Sequence, residues 1–232
     1  MLDNISISPN CEFCQDKSCA TLVLNSADLK VLSSGCREAK LQKGETILSA
    51  GSEASHIIYL KQGIVKEFQQ KDDQQEHILQ ILKGPNYLGL ESLAGDLVNH
   101  ISYASLSDVT LCFIERETFK SLLVNNGEFS FKIIQTICRS SLNHYHNFVS
   151  QNQKHIHGKL ADALIHFSRE IFESCEFTLP LNRSEISFLI GTSRESVSKQ
   201  LRTYEREGIL KISGRKIIIT DIDKLERISR FG

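Results

Sequence analysis

Tryptophan is absent from the 232 residues, methionine occurs once and proline only three times. No stretch approaches the roughly 18 consecutive apolar residues that a membrane-spanning helix requires. The first residues, MLDN, also lack the basic segment and apolar core of a secretory signal. With 41% apolar and 24% charged residues, the composition is typical of a soluble globular protein. We therefore expect a cytoplasmic protein that has no membrane partner.

A strong overall charge is absent too, since the formal net charge is −1. The charge is unevenly distributed, however. Residues 180–232 carry eleven Lys and Arg against seven Asp and Glu, a net charge of +4, whereas the rest of the chain carries −5. A basic C-terminal segment on an acidic body favours contact with phosphates through one end of the chain.

Seven cysteines are present, at positions 11, 14, 19, 36, 112, 138 and 175. An odd number in a chain without a secretory signal disfavours a disulfide framework. Cys11, Cys14 and Cys19 lie within nine residues, in a segment that has little apolar periodicity. This clustering requires a chemical explanation, whereas we expect Cys36, Cys138 and Cys175 to behave as small buried apolar residues.

From Ala39 to about Arg116 the chain consists of short apolar runs that are separated by turn-forming residues. Runs of this length and spacing predict an antiparallel sandwich or roll. The predicted strands are 43–48, 56–60, 63–68, 76–82 and 110–114.

From about Glu117 the apolar period becomes helical, and one set of residues recurs at alternating spacings of three and four. Such a seam is typical of helices that pair, so we expect a second copy of the chain to cover it; packing against the chain's own roll is the alternative. The seam consists of Phe131, Ile134, Cys138, Ser141, Tyr145 and Phe148. A further helix is predicted from Lys159 to Phe172.

Two short amphipathic helices are predicted between Leu181 and Ile209, on either side of Gly191. Glycine tolerates the left-handed backbone that ends a helix, and Thr192 or Ser193 can cap the next one. The second helix has an apolar stripe of Val197, Leu201 and Tyr204. Its outward face carries polar and charged side chains that suit a DNA major groove, or alternatively solvent.

The run ISFLIGTSRESVSK, from Ile186 to Lys199, resembles the helix-turn-helix of the CRP/FNR family of bacterial transcription regulators. The following GRKIII, from Gly214, resembles the wing of that family, and the glycines between Lys43 and Lys66 resemble its sensor roll. The resemblance implies an α+β protein with an antiparallel β-roll of the cyclic nucleotide-binding, jelly-roll type, a long dimerisation helix and a winged helix-turn-helix. The implied parts are an arm (1–20), a roll (21–124), a dimer helix (125–153) and a DNA-binding domain (154–232).

The resemblance also assigns residues to DNA recognition. Glu195, Ser198 and Lys199 take the positions that reach base edges, and Arg194 is typical of the cyclic-nucleotide branch of the family. Arg183, Thr192, Ser193, Arg202 and Arg215 are expected to contact phosphates, which position a protein without specifying sequence. The implied partners are a second copy of the chain, a two-fold symmetric duplex with TTGAT-like half-sites, and RNA polymerase.

Cys11, Cys14 and Cys19 resemble the N-terminal cluster of the oxygen-responsive FNR branch, and alignment places Cys112 at the position of its fourth ligand. The resemblance implies a 4Fe-4S cluster on these four thiolates and a sensor of oxygen or nitric oxide. The gap between Cys14 and Cys19 is one residue shorter than in the best-known FNR pattern. Structural zinc, direct thiol oxidation, haem and a disordered arm remain alternatives.

Cyclic AMP is not an expected ligand, because no arginine occurs between Arg37 and Arg116 to grip its phosphate. The family's Gly-Glu pair is also displaced, since Gly89 is followed by Leu90 and only then by Glu91. In an extended segment this shift would turn the acid to the opposite face. An enzyme or electron carrier is the alternative class, but a second cysteine set and a nucleotide-binding loop are lacking.

Overall fold

The computed structural model describes residues 5–6, 10–70 and 76–232. The chain divides into two compact units, of which the first comprises residues 1–69 and 81–142 and the second residues 70–80 and 143–232. No helix in the described part of the chain has the length and apolar character that crossing a membrane needs.

Two antiparallel sheets form the predicted roll. Their strands are β1 (Ile5–Ser6), β2 (Cys36–Leu41), β3 (Thr46–Leu48), β4 (His56–Gln62), β5 (Ile64–Gln70), β6 (Glu76–Lys83), β7 (Asn86–Leu88), β8 (Ser102–Ser105) and β9 (Val109–Glu115). One sheet has the order β1-β2-β9-β4-β7 and the other β3-β8-β5-β6. The five strands predicted from apolar runs correspond to β3, β4, β5, β6 and β9.

The five-stranded sheet is buried on both faces, because successive side chains of a strand point to opposite sides. On one face Ile58, Leu60 and Leu111 enter the core of the roll. On the other face, Ile57 and Tyr59 belong to a second apolar cluster, which also includes residues of the arm and of four helices. This second cluster, which we call the outer cluster, contains Cys11, Cys36 and Cys112.

The helices of the first unit begin with α1 (Ser26–Ser34), which Asn25 caps by accepting hydrogen bonds from two main-chain amides. The short α2 (Leu90–Ala94) follows β7, and α3 (Arg116–Asn125) follows β9 directly. The long α4 (Gly127–Gln153) then begins after Asn126. Its residues Phe129 and Ile133 are buried in the outer cluster.

Residues 10–24 form an irregular segment, as expected of the arm, but they are packed rather than disordered. Cys11 and Ala20 are buried, and the Tyr59 hydroxyl donates a hydrogen bond to the Asp16 carbonyl at 2.8 Å. The Ser18 hydroxyl lies 2.8 Å from that of Tyr87. Disorder is therefore excluded for this segment, whereas residues 1–4 and 7–9 of the predicted arm lie outside the described residues.

The second unit carries the predicted helix-turn-helix and wing. Its elements are α5 (Ile156–His166), which continues as one π-helical turn (Phe167–Ile171), β10 (Glu176–Thr178), α6 (Arg183–Ile190), α7 (Arg194–Arg206), β11 (Leu210–Ser213), β12 (Lys216–Ile219) and α8 (Ile222–Phe231). The strands form a small antiparallel sheet in the order β10-β12-β11. The helix predicted from Lys159 thus begins at Ile156 and loses its regular α-helical form after His166.

Candidate DNA-reading face and thiol cluster

Local signals fix the turn between α6 and α7. Asn182 and Glu185 form a capping box at the start of α6, and Gly191 ends that helix in the left-handed conformation, with φ of 63°. Ser193, rather than Thr192, caps α7 by accepting a hydrogen bond from the Ser196 amide at 3.1 Å. Two of the residues expected to contact phosphates, Thr192 and Ser193, are thus placed at the amino end of α7.

Burial of one stripe decides which face of α7 is available to DNA. Val197, Leu201 and Tyr204 are buried, as predicted. The opposite side borders an open cavity of about 560 Å³ that is lined by Arg194, Glu195, Ser198, Lys199, Arg202, Thr203 and Arg206. We call these seven residues the reading face. Thr203 and Arg206 were missed by sequence reasoning, although their spacing of four and seven residues from Lys199 is a helical signal.

Two side chains of the reading face are already oriented. Hydrogen bonds from its own main-chain amide and from the Ser193 hydroxyl hold the pKa of Glu195 below its ordinary value. Glu195 is therefore a carboxylate near neutral pH and can accept from a cytosine amino group. The Ser198 hydroxyl donates to the Arg194 carbonyl at 2.9 Å, whereas the Lys199 ammonium is exposed.

Two arginines that were expected to contact phosphates also hold the wing. The half-buried Arg183 donates from Nη2 to the Gly214 carbonyl at 3.4 Å, and burial lowers its pKa. Arg215 donates to the carbonyls of Leu179 and Pro180, at 3.1 and 2.5 Å. Their guanidinium groups therefore have positions set within the second unit, and their contact with phosphate stays a prediction.

The thiol cluster joins the arm to the five-stranded sheet. Cys36 is hydrogen bonded both to Cys11 and to Cys112. Cys36 lies opposite Ile114 in the pairing of β2 with β9, so it shares one sheet face with Cys112, two residues away. The expectation of burial was wrong for Cys138 and Cys175, which are exposed. Cys36 is only 2% exposed, as expected, but its contacts with two predicted cluster ligands were missed. They depend on strand adjacency, which the sequence does not show.

The hydrogen bond between Cys11 and Cys36 polarises the two thiols in opposite directions. Donation from Cys36 lowers the pKa of Cys11 to about 6, against the effect of burial, and Ser33 and Lys61 act in the same direction as Cys36. The pKa of Cys36 is raised by its bonds to Cys11 and Cys112 and by burial. Cys11 is thus a thiolate at neutral pH while Cys36 keeps its proton.

The other two predicted cluster ligands differ in their surroundings. Cys14 is half-buried and lies near Tyr59 and Lys61. The pKa of Tyr59 is raised mainly by burial, whereas at Lys61 burial acts to lower the pKa and the hydrogen bond to Glu38 raises it; Cys14 contributes to both increases. Cys19 is exposed. Thiols are the donors that iron–sulfur clusters take, so the chemistry of the set fits such a group. Within residues 5–6, 10–70 and 76–232, no three His, Cys, Asp or Glu side chains are arranged to hold a metal ion, so holding a cluster requires the arm to shift.

The predicted seam on α4 is exposed along its length. Phe131, Ile134, Tyr145 and Phe148 are more than half exposed, and Cys138 and Ser141 are exposed as well. The face that packs on the chain's own sheet instead carries Phe129 and Ile133. The alternative that the seam packs against its own roll is therefore excluded.

A cavity of about 280 Å³ lies beside α2, where its lining includes Glu91, Asp96 and His100. The argument that Glu91 is turned away in an extended segment was wrong. Gly89 has φ of 74° and Leu90 begins a helix, so strand alternation does not apply, and Glu91 lines the cavity. Among the described residues that line it, there is no Lys or Arg to neutralise a phosphate.

Comparisons with known proteins agree with this geometry. Residues 38–126 match the cyclic nucleotide-binding domain and residues 158–228 the Crp-like helix-turn-helix domain. The chain is 23% identical over 226 residues to the fumarate and nitrate reduction regulatory protein of Escherichia coli, covering 93% of this chain and 90% of that protein. It is 22% identical over 192 residues to a CRP-like cAMP-activated global transcriptional regulator of Mycobacterium tuberculosis, covering 81% and 86%.

The fold is shared with solved structures. FixK2 from Bradyrhizobium japonicum superposes with a TM-score of 0.76 at 18% identity, covering 83% of this chain and 96% of that one. A regulator from Eubacterium rectale gives 0.75 at 20% identity, covering 89% and 95%. The roll, long helix and helix-turn-helix define a DNA-binding transcription regulator, not an enzyme. The chain belongs to the CRP/FNR family, whose members bind DNA and act as dimers.

Proposed function

We propose that this regulator is a redox sensor whose DNA binding is controlled by a 4Fe-4S cluster held by thiols of the arm and by Cys112. The observation that carries the proposal is the burial of Cys11 and Cys112 in one cluster with a third thiol. When bound, the cluster supplies iron that oxygen or nitric oxide can attack.

The outer cluster offers a physical route from the thiols to the dimer helix. It contains Cys11 and Cys112 together with Phe129 and Ile133 of α4, which are 1% and 2% exposed. Interiors of proteins are close-packed, so a change in the position of the arm alters the packing of α4. This change in packing alters how tightly the exposed seam on the same helix pairs with a second copy. Pairing of the two helices in turn sets the distance between the two reading faces of the dimer.

Each reading face would address one half-site, and we propose TTGAT-like half-sites in a two-fold symmetric duplex. Glu195 accepts a hydrogen bond from cytosine N4, and Lys199 donates one to guanine. Arg202 and Arg206 lie on the same face and would bind phosphates. RNA polymerase is the proposed partner of the DNA-bound dimer.

Purification without oxygen tests the proposal directly. We expect a coloured protein that contains iron and acid-labile sulfide, binds the palindromic duplex as a dimer, and loses colour and DNA affinity together in air. A colourless, iron-free protein with the same DNA affinity in air and without oxygen would contradict the proposal. Zinc or haem would be detected in the same metal and spectral analysis.

The contact between Cys11 and Cys36 favours a second candidate, control by direct thiol oxidation. The Cys11 thiolate would attack a hydroperoxide to give a sulfenic acid and an alcohol, and the Cys36 thiol would then displace water to form a disulfide. Mass spectrometry of iron-free protein treated with hydrogen peroxide and kept without reductant distinguishes the two, because only this candidate links the two peptides by a disulfide.

A further inference from the structure

Cys36 occupies the position between the two buried predicted ligands. It is buried in the outer cluster together with Cys11 of the arm and Cys112 of β9, and it is itself the first residue of β2. No movement of the sheet is needed to keep Cys36 beside Cys112, because the two strands pair continuously from Cys36 to Leu41.

Cys19, in contrast to Cys36, has a thiol that lies outside the buried cluster. It is exposed, and its neighbours Ser18 and Ala20 are buried. Ser18 is fixed by hydrogen bonds to Thr21 and Tyr87, both at 2.8 Å. To bring the Cys19 thiol to Cys112, the arm would therefore have to break these contacts and invert a buried segment.

We propose that Cys36, in place of Cys19, is the fourth ligand of the cluster, together with Cys11, Cys14 and Cys112. The proposal rests on the proposed iron–sulfur function and names the ligands of that same site. On ligation, every one of these four side chains that is still protonated releases its proton to solvent, and each sulfur occupies one iron coordination position. The half-buried Cys14, which lies near Tyr59 and Lys61 of β4, is then the thiol whose approach completes the set.

The test compares two single substitutions in anaerobically purified full-length protein, Cys36→Ser and Cys19→Ser, with Cys175→Ser as an exposed control. Iron, sulfide and the visible spectrum are measured. We expect Cys19→Ser and Cys175→Ser to keep the wild-type iron content and Cys36→Ser to lose most of it. Retention of the cluster by Cys36→Ser, or loss from Cys19→Ser, would overturn the assignment while leaving the iron–sulfur function standing. Iron-free wild-type protein would overturn both.

A second measurement uses the unsubstituted protein, so that the assignment can be tested even if the Cys36 variant does not fold. The iron-loaded protein is treated with iodoacetamide without oxygen, and the alkylated peptides are identified by mass spectrometry. We expect Cys19 to be alkylated to completion while the visible spectrum stays unchanged. Protection of Cys19 until the iron is removed would show that Cys19 is a ligand and would refute the proposal.

Discussion

The Tyr204 hydroxyl in α7 donates a hydrogen bond to the main-chain carbonyl of His157 in α5, at 2.5 Å. Tyr204 is 1% exposed and belongs to the buried stripe of α7, so this bond joins α7 to α5 within the second unit. Replacing Tyr204 with Phe keeps the ring and removes this hydrogen bond. We expect the second unit to lose about 1 kcal/mol of unfolding free energy.

Thermal or denaturant unfolding of Tyr204→Phe measures this loss, with Tyr145→Phe as the control because Tyr145 is exposed on α4. The preference between cognate and scrambled duplexes should be unchanged in both variants. Equal stability of the Tyr204 variant and the wild type would contradict the expected contribution of the bond.

The reading face predicts different consequences for two of its cations. We expect Lys199→Ala to cost about 1–3 kcal/mol on the cognate duplex and to relax the preference at one base pair. Arg202→Ala should weaken binding to all duplexes similarly. It should also reduce the slope of log affinity against log salt concentration by about the amount that one phosphate contact contributes. Binding titrations on cognate and single-substituted duplexes at several salt concentrations separate the two effects. A uniform loss with Lys199→Ala would argue against base reading.

The exposed seam of α4 predicts that a charge on it prevents pairing. In Phe148→Asp, a residue that is 69% exposed in the single chain would place a carboxylate in the dimer interface. We expect light scattering to show a folded monomer, with affinity for a palindromic duplex reduced at least about tenfold. Val124→Asp is the matched control, since Val124 is 76% exposed but lies on α3. A dimeric Phe148 variant would show that the seam is not the interface.

The Cys36 hydrogen bond predicts an acidic midpoint for Cys11 in the iron-free, reduced protein. Because the pKa of Cys11 is lowered to about 6, its alkylation rate should rise up to about pH 7 and then become constant. In Cys36→Ala the bond is lost while burial still raises the pKa, so the midpoint should move to higher pH. Peptide mass spectrometry of iodoacetamide-treated samples measures both. An identical midpoint in the variant would refute the role of Cys36.

The roll cavity predicts that cyclic AMP does not stabilise the protein. Its lining includes the carboxylates of Glu91 and Asp96, which would repel a phosphate. Thermal unfolding with and without cyclic AMP should give the same midpoint, whereas binding to the folded state would raise it. A concentration-dependent increase would contradict the expectation.

Several features of the fold could be read from local sequence because their causes are local. Asn25, Asn182 and Ser193 cap helices through amides two or three residues away, and Gly191 ends α6 where a left-handed residue is required. The stripe of α7 follows from helical period alone. The segment after Gly89 could not be read in this way, because a short helix and an extended strand share the same few residues until tertiary packing selects one.

The sequence by itself determined five strands of the roll, the helix α7 with its outward Glu195, Ser198 and Lys199, and the seam on α4. These properties depend on spacing along one chain segment, which helical and strand geometry convert directly into faces. Only the tertiary structure decided that Cys36 lies between Cys11 and Cys112, that the arm packs on the sheet, and that Arg215 holds the wing. Each of these is a contact between residues far apart in the chain, and such contacts arise from strand pairing and burial that no local pattern encodes.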